Sequence, residues 1–286
     1  MENIELNKED ILNNAINHPD YLIRADHVKL IHEQDILSDI LINEPDFYVR
    51  QMAVANVSDE GLLTKIATED LDYYVRLSAL KKITNENSLF NIAINQEEDY
   101  FICKEAVSRI SSFDTLKKIV DEAMDKDIRS VAIGFITDKT ILLDIAQHAT
   151  DFYTRCNAIK HLKDDSLLQG IAQDDTDYYV RAIAVQHISD EQILYKIALN
   201  DKDYYVRKEA TLRIKDNNLL NDILQRDEDL HVRRTALDKM TDETILKSIA
   251  ENDTDHLLSR AAQHILEDMH NPVEATDETE VNVPSE

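Results

Sequence analysis

Tryptophan is absent from this chain, and only three glycines and four prolines occur in 286 residues. Positions that need a left-handed residue or a fixed φ are therefore few, which argues against a turn-rich all-β fold and leaves helix as the default. Cysteine is almost missing too: Cys103 and Cys156 are too few for a disulfide framework and are expected to be free thiols. No run reaches the roughly 20 apolar residues of a membrane span, and the opening MENIELNKED is neither basic nor apolar enough for a signal peptide. A cytoplasmic protein is expected. Positive charge is scarce, with 31 basic against 57 acidic residues and a net charge of -26. Such a chain repels phosphate backbones and anionic membrane surfaces. Neither is an expected partner; a protein with a basic, or mixed basic and apolar, segment is. A Walker loop, a dinucleotide fingerprint, a Cys-x-x-Cys pair and a nucleophile elbow are all missing.

What is present is a period. Aspartate stands at Asp20, Asp46, Asp72, Asp99, Asp125, Asp151, Asp177, Asp203, Asp229 and Asp255, a spacing of 26 residues broken once by a single extra residue between Asp72 and Asp99. Four places on comes arginine: Arg24, Arg50, Arg76, Arg129, Arg155, Arg181, Arg207 and Arg233, with Cys103 and Ser259 in the other two copies. Seven places on comes alanine, except at His27. Columns of leucine, from Leu37 to Leu246, and of isoleucine three residues later, from Ile40 to Ile249, complete the unit. A fixed period of this length marks a stacked, quasi-one-dimensional architecture.

The copy from Asp177 to Lys202 shows how one unit works. Asp177 is a good N-cap, and Val180, Ala184, Val185 and Ile188 follow the 3.6-residue period of an amphipathic helix. Ser189 and Asp190 make a break and a second cap, after which Ile193, Leu194, Ile197 and Ala198 form a second stripe ending near Asn200. Such short helices do not persist alone in water, so the hairpins must stack to bury both stripes.

The arginine column falls inside the apolar arc of the first helix, and a charge there must be paired. The candidate acids are the cap aspartate and the acid two residues before a cap, seen as Asp70, Asp175, Asp201, Asp227 and Asp253, with Glu44 and Glu97 as substitutes. Arginine's planar fork can bridge carboxylates of its own and a neighbouring unit, giving a structural ladder along the array. A catalytic arginine would not recur in eight copies.

The pattern D-x-D-x-x-V-R-x-x-A, as in Asp175 to Ala184 and Asp201 to Ala210, resembles the HEAT repeat and its shorter HEAT-like relatives, and is similar to the leucine-rich repeat variant. The resemblance covers about residues 18 to 268. The unit is shorter than a usual HEAT repeat and lacks the proline-rich turn of the leucine-rich variant. It implies an all-α fold, an α-solenoid or superhelix of about ten 26-residue hairpins, and a scaffolding role. Residues 1–19 are expected to form an N-terminal capping half-repeat, 20–268 the array, and 269–286 a disordered acidic tail.

Of 17 aromatic residues, 13 occupy the two positions after the cap, among them Tyr73, Tyr153, Tyr178 and Tyr204. They make a tyrosine-rich rail beside an aspartate rail, either packing over the joints between units or offering an edge to a cationic segment. Phe90 with Ile94, Tyr195 with Leu199, and Leu143 break the polar outer side of the second helices. If that side is concave, they are anchors for a bound partner segment. His161 and His187 share a column, but neighbouring layers stand about 8–10 Å apart, too far for one metal ion. HEAT-like metal hydroxylases carry several His-Glu pairs, whereas this chain has only His32-Glu33. The basic file of Lys82, Arg109, Arg213 and Lys239 reads as surface balancing. No cofactor, metal or catalytic residue is expected. The expected function is a non-enzymatic, monomeric interaction scaffold; the alternatives are a HEAT-like enzyme or bilin-lyase-type protein and an acidic nucleic-acid mimic.

Overall fold

The computed structural model describes residues 7–270, so residues 271–286 of the expected acidic tail lie outside the described residues. Among the described residues there are twenty α-helices and no strand, divided between two compact units that meet at His161 and Leu162. The first unit opens with α1 (Lys8–Asn17), α2 (Tyr21–Val28), α3 (Gln34–Asn43), α4 (Phe47–Val54), α5 (Glu60–Glu69) and α6 (Tyr73–Leu80). It continues with α7 (Glu86–Ala93), α8 (Tyr100–Ser108), α9 (Phe113–Glu122), α10 (Lys126–Phe135), α11 (Lys139–His148) and α12 (Phe152–His161). The second unit holds α13 (Asp165–Asp174), α14 (Tyr178–His187), α15 (Glu191–Asn200) and α16 (Tyr204–Arg213). It closes with α17 (Asn217–Arg226), α18 (Leu230–Lys239), α19 (Glu243–Asn252) and α20 (His256–His270). Met269 and His270, which the pattern assigned to the tail, are thus helical.

The helices start where the caps stand. Asp46 accepts the amides of Tyr48 and Val49, and Asp190 those of Gln192 and Ile193, satisfying donors that have no partner inside the helix. Most stop in extended backbone, as at Ile188 after α14 with φ -77 and ψ 135 and Asp201 after α15 with φ -65 and ψ 138, whereas α2, α4, α6 and α8 end on a residue still in helical backbone. No described residue has a positive φ, which is why three glycines suffice.

Packing shifts the phase of the repeat. With the exception of α3 and α4, the most closely packed pairs are an odd-numbered helix and the even-numbered helix that follows it, from α1 with α2 to α19 with α20. The sequence unit, cut at the cap aspartate, lies half a repeat out of register with these hairpins. The reason is the short acid-x-Asp connection, which turns the second helix of one unit directly back along the first helix of the next. Within each unit the even-numbered helices stack in succession, α2 to α12 and α14 to α20, and α7, α9 and α11 stack likewise. The alanine column sits in this layer; Ala53, Ala79, Ala132, Ala184 and Ala210 are fully buried, allowing close approach, while Leu37, Leu89, Leu168 and Ile171 fill the seam between layers. Each unit is a HEAT-like helical repeat array, an α-solenoid in fold class.

Candidate functional site

The arginine column binds across the loops at one end of the hairpins. Arg181 donates through Nε and Nη2 to the two carboxylate oxygens of Asp201 at 2.9 and 3.0 Å, and through Nη1 to the carbonyls of Asp175 and Thr176 at 3.0 and 3.3 Å. The guanidinium therefore ties the loop before its own helix to the loop after the next helix. Arg24 with Glu44, Arg50 with Asp70 and Arg207 with Asp227 repeat the same fork. The acid is the C-cap residue of an odd-numbered helix, where a lone carboxylate would oppose the helix dipole; the arginine reverses that sign. The bond to Asp201 comes first among the causes that raise the Arg181 pKa, against the lowering effect of burial.

Where the period falters, the ladder changes partner. Arg76 binds Glu98 at 3.1 Å, not the expected Glu97. The 27-residue copy ends α7 early, at Ala93, and the extra residue in the following turn carries Glu98 to the guanidinium. Cys103 stands in an arginine position and lies 3.5 Å from the carbonyls of Ile92 and Asn95. The acid position of that copy is Ala123, so both ends of the rung are replaced together. Burial pushes the Cys103 thiol up to about 11. Arg129 meets Ala149 where its acid would be and turns instead to the Thr154 hydroxyl at 3.1 Å and Asp151 at 3.4 Å. Arg233 holds Asp253 and Asp255 loosely, at 3.8 and 3.6 Å. Arg155 donates to the carbonyls of Ala149 and Thr150.

A second set of ties was not read from the sequence. The first residue of an odd-numbered helix reaches the turn of the following repeat: Glu60 accepts the amides of Thr84 and Asn85, Glu86 those of Ser111 and Ser112, and Asp165 those of Ser189 and Asp190. At Glu86 burial raises the carboxyl pKa, but the bonds from Ser111, Ser112 and Thr115 outweigh it and the net direction is down. An acid or amide at this position in successive copies is the signal that could have shown it. The basic file also has structural work, a correction to its reading as surface balancing. Lys82 donates to the carbonyls of Val54 and Val57, Arg109 to that of Ile83, and Arg213 to that of Ile188, each closing the helix end of the preceding repeat.

The two candidate partner surfaces differ in exposure. Phe90, Ile94, Leu143, Tyr195 and Leu199 are all half-buried. Tyr195 also donates its hydroxyl to Asp222 on α17, a bond that raises its pKa, so this ring is a tie between repeats. On the rail, by contrast, Phe101 is 63% exposed and Tyr153 61%, with Tyr74, Tyr178 and Tyr204 also exposed and Tyr73 half-buried. Some rings bridge repeats, whereas Tyr73 with Tyr74, Tyr100 with Phe101 and Phe152 with Tyr153 pair within one copy. Tyr21 lies edge-on to Tyr48 at 6.4 Å and Tyr178 to Tyr205 at 6.1 Å, so the first ring of one copy packs on the second ring of the next. The rail also takes cations: Lys126 Nζ stands 5.7 Å from the centre of the Tyr153 ring and Lys208 Nζ 6.0 Å from that of Tyr205. Among the described residues no group of three His, Cys, Asp or Glu converges as a metal site would require, and no helix is long and apolar enough to cross a membrane.

These features define the class: a tandem array of short helical hairpins cross-tied by buried arginine–carboxylate forks. Comparison with solved structures finds similarity to a leucine-rich repeat variant with a novel repetitive protein structural motif, at 19% identity and a TM-score of 0.48, covering 75% of this chain and 85% of that one. No protein-family model and no curated protein matches the chain.

Proposed function

We propose that this protein is a non-enzymatic interaction scaffold whose aromatic edge docks a cationic, partly apolar segment of a partner protein. The observation that carries this reading is the file of exposed rings at the starts of even-numbered helices of the first unit, Tyr74, Phe101 and Tyr153; Tyr178 and Tyr204 are exposed in the same way within the second. The ring of Tyr153 already faces an ammonium group from its own chain. Aromatic rings beside carboxylates favour arginine and lysine side chains, and the buried forks behind them keep the edge rigid. Phe90, Ile94 and Leu143 in the first unit, and Tyr195 and Leu199 in the second, are the secondary docking candidates in this reading. The nucleic-acid mimic has less support, because the repeated acids Asp70, Asp201 and Asp227 have side chains only 3–6% exposed and face arginine instead of solvent. The protein acts as a monomer in the cytoplasm, where its buried thiols stay reduced.

The test is quantitative capture from the native cell with the full chain and with Phe101→Ala/Tyr153→Ala. Truncating interface anchors commonly costs more than about 2 kcal/mol, so the partner should be retained at least about tenfold less by the variant, at unchanged helicity. The association rate of the captured partner should fall as salt is added, because long-range steering is screened. Equal retention by the variant, with loss in Phe90→Ala/Tyr195→Ala instead, would move the docking surface to the odd-numbered helices.

A further inference from the structure

The last joint of the second unit is built differently from the two before it. There the first residue after one cap aspartate packs on the second residue after the next cap: Tyr178 meets Tyr205, and Tyr204 meets His231, with ring centres 6.1 Å apart in both. At the joint of α18 and α20 the same two positions hold Leu230 and Leu257. Aliphatic side chains thus replace a ring pair, and α20 packs less closely on α18 than α18 does on α16. What remains is a cleft of about 430 Å³ lined by Leu230 and Leu257 together with His231, Arg234, Arg260 and His264. Leu257 is 63% exposed and Leu230 41%.

The charge of this cleft is opposite to that of the chain. No carboxylate lines it, although the chain carries 57 acids, and each of three other clefts includes at least one. Arg234 and Arg260 stand five residues past their caps, in a file that Lys208 opens on α16 and that Ala182 on α14 does not share. The acids that reach these cations come from their own helices: Asp238 accepts from Arg234 Nε at 2.7 Å, and Glu267 lies 3.6 Å from His264. Both pairs are exposed, so they contribute little and exchange readily for another carboxylate. Arg260 has no acidic partner among the described residues. Two leucines flanked by two guanidinium groups match an apolar side chain flanked by carboxylates. A nucleic acid or an anionic membrane, being far wider than the cleft, would also meet the field of a chain with net charge -26. We propose that the α18–α20 cleft docks an acidic, partly apolar segment of a partner protein, with a leucine-sized side chain between Leu230 and Leu257 and carboxylates on Arg234 and Arg260. A segment of this kind is opposite in charge to the one that fits the aromatic edge, so the two surfaces do not compete for one ligand.

The test uses the full chain and a short fluorescent peptide of glutamate and leucine, with its leucines spaced to share one helix face. The Leu230 and Leu257 methyl signals should shift saturably as peptide is added, with leucines of the first unit unaffected. Fluorescence anisotropy should show the affinity falling at least about tenfold in Arg234→Glu/Arg260→Glu, and as much in Leu230→Tyr/Leu257→Tyr, which restores the ring pair of the earlier joints, both at unchanged helicity. Two further readouts need no variant. A peptide with alanine in place of leucine should bind at least about tenfold more weakly, and added salt should weaken the leucine peptide by screening its carboxylates. Methyl signals that do not move, an affinity indifferent to both double variants, or equal binding of the alanine peptide would overturn the proposal. So would vesicles of anionic phospholipid that shift Leu230 and Leu257 while the peptide leaves them in place, since the cleft would then serve a membrane.

Discussion

Arg181 is 1% exposed, yet all three of its nitrogens are hydrogen-bonded, to Asp201 and to two carbonyls. Burying a charge is tolerable only when it is paired and hydrogen-bonded, and removing one member leaves the other stranded. Arg181→Leu should therefore destabilise the second unit by about 3–5 kcal/mol, because the Asp201 carboxylate stays behind at a helix C-terminus with no cation. Urea unfolding of the full chain gives the number. A loss below about 0.5 kcal/mol, the scale of an exposed ion pair, would mean that the guanidinium is solvated. The acids that make this chain so negative are in large part fittings of the same kind: caps on helix starts and clamps on arginines.

Between elements, the broken rung is the most instructive place. α8 carries Cys103 and the C-cap of α9 is Ala123, so neither a buried guanidinium nor an unopposed carboxylate is present. Restoring one partner alone should be unfavourable: Cys103→Arg buries a cation with no acid, and Ala123→Asp places a carboxylate against the dipole of α9. Together they should interact favourably by about 1–3 kcal/mol, read from a double-mutant cycle in thermal or urea unfolding. Additive effects of the two changes would show that the loop at Ala123 cannot bring an acid to the column. The neighbouring rung, where Arg129 turns to Thr154 and Asp151, shows that the geometry does adapt when an acid is missing.

For the whole molecule, a net charge of -26 works against compactness through self-repulsion. Salt screens exposed charges over a Debye length of about 10 Å at 0.1 M, while the buried forks are screened far less. The melting temperature at neutral pH should therefore rise by a few degrees as salt increases from low to physiological ionic strength. Differential scanning calorimetry decides it. A melting temperature that falls with salt would mean that exposed pairs such as Lys117 with Asp121 and Asp144 outweigh the repulsion.

The 26-residue period, the cap aspartates and the apolar stripes determined the fold class by themselves, because caps and helix faces are set by residues three or four places apart. The arginine column also showed from sequence alone that a buried charge needed acids. Which acid met it was decided only in three dimensions: the choice of Glu98 over Glu97 depends on how one inserted residue bends a turn 22 positions from Arg76. The same holds for Glu60, Glu86 and Asp165, whose partners lie a full repeat away and become neighbours only when hairpins stack. Exposure was likewise a tertiary matter. Phe90 and Tyr195 on one side and Phe101 and Tyr153 on the other are alike as residue types; what separates them is whether the adjacent helix of the stack covers the ring.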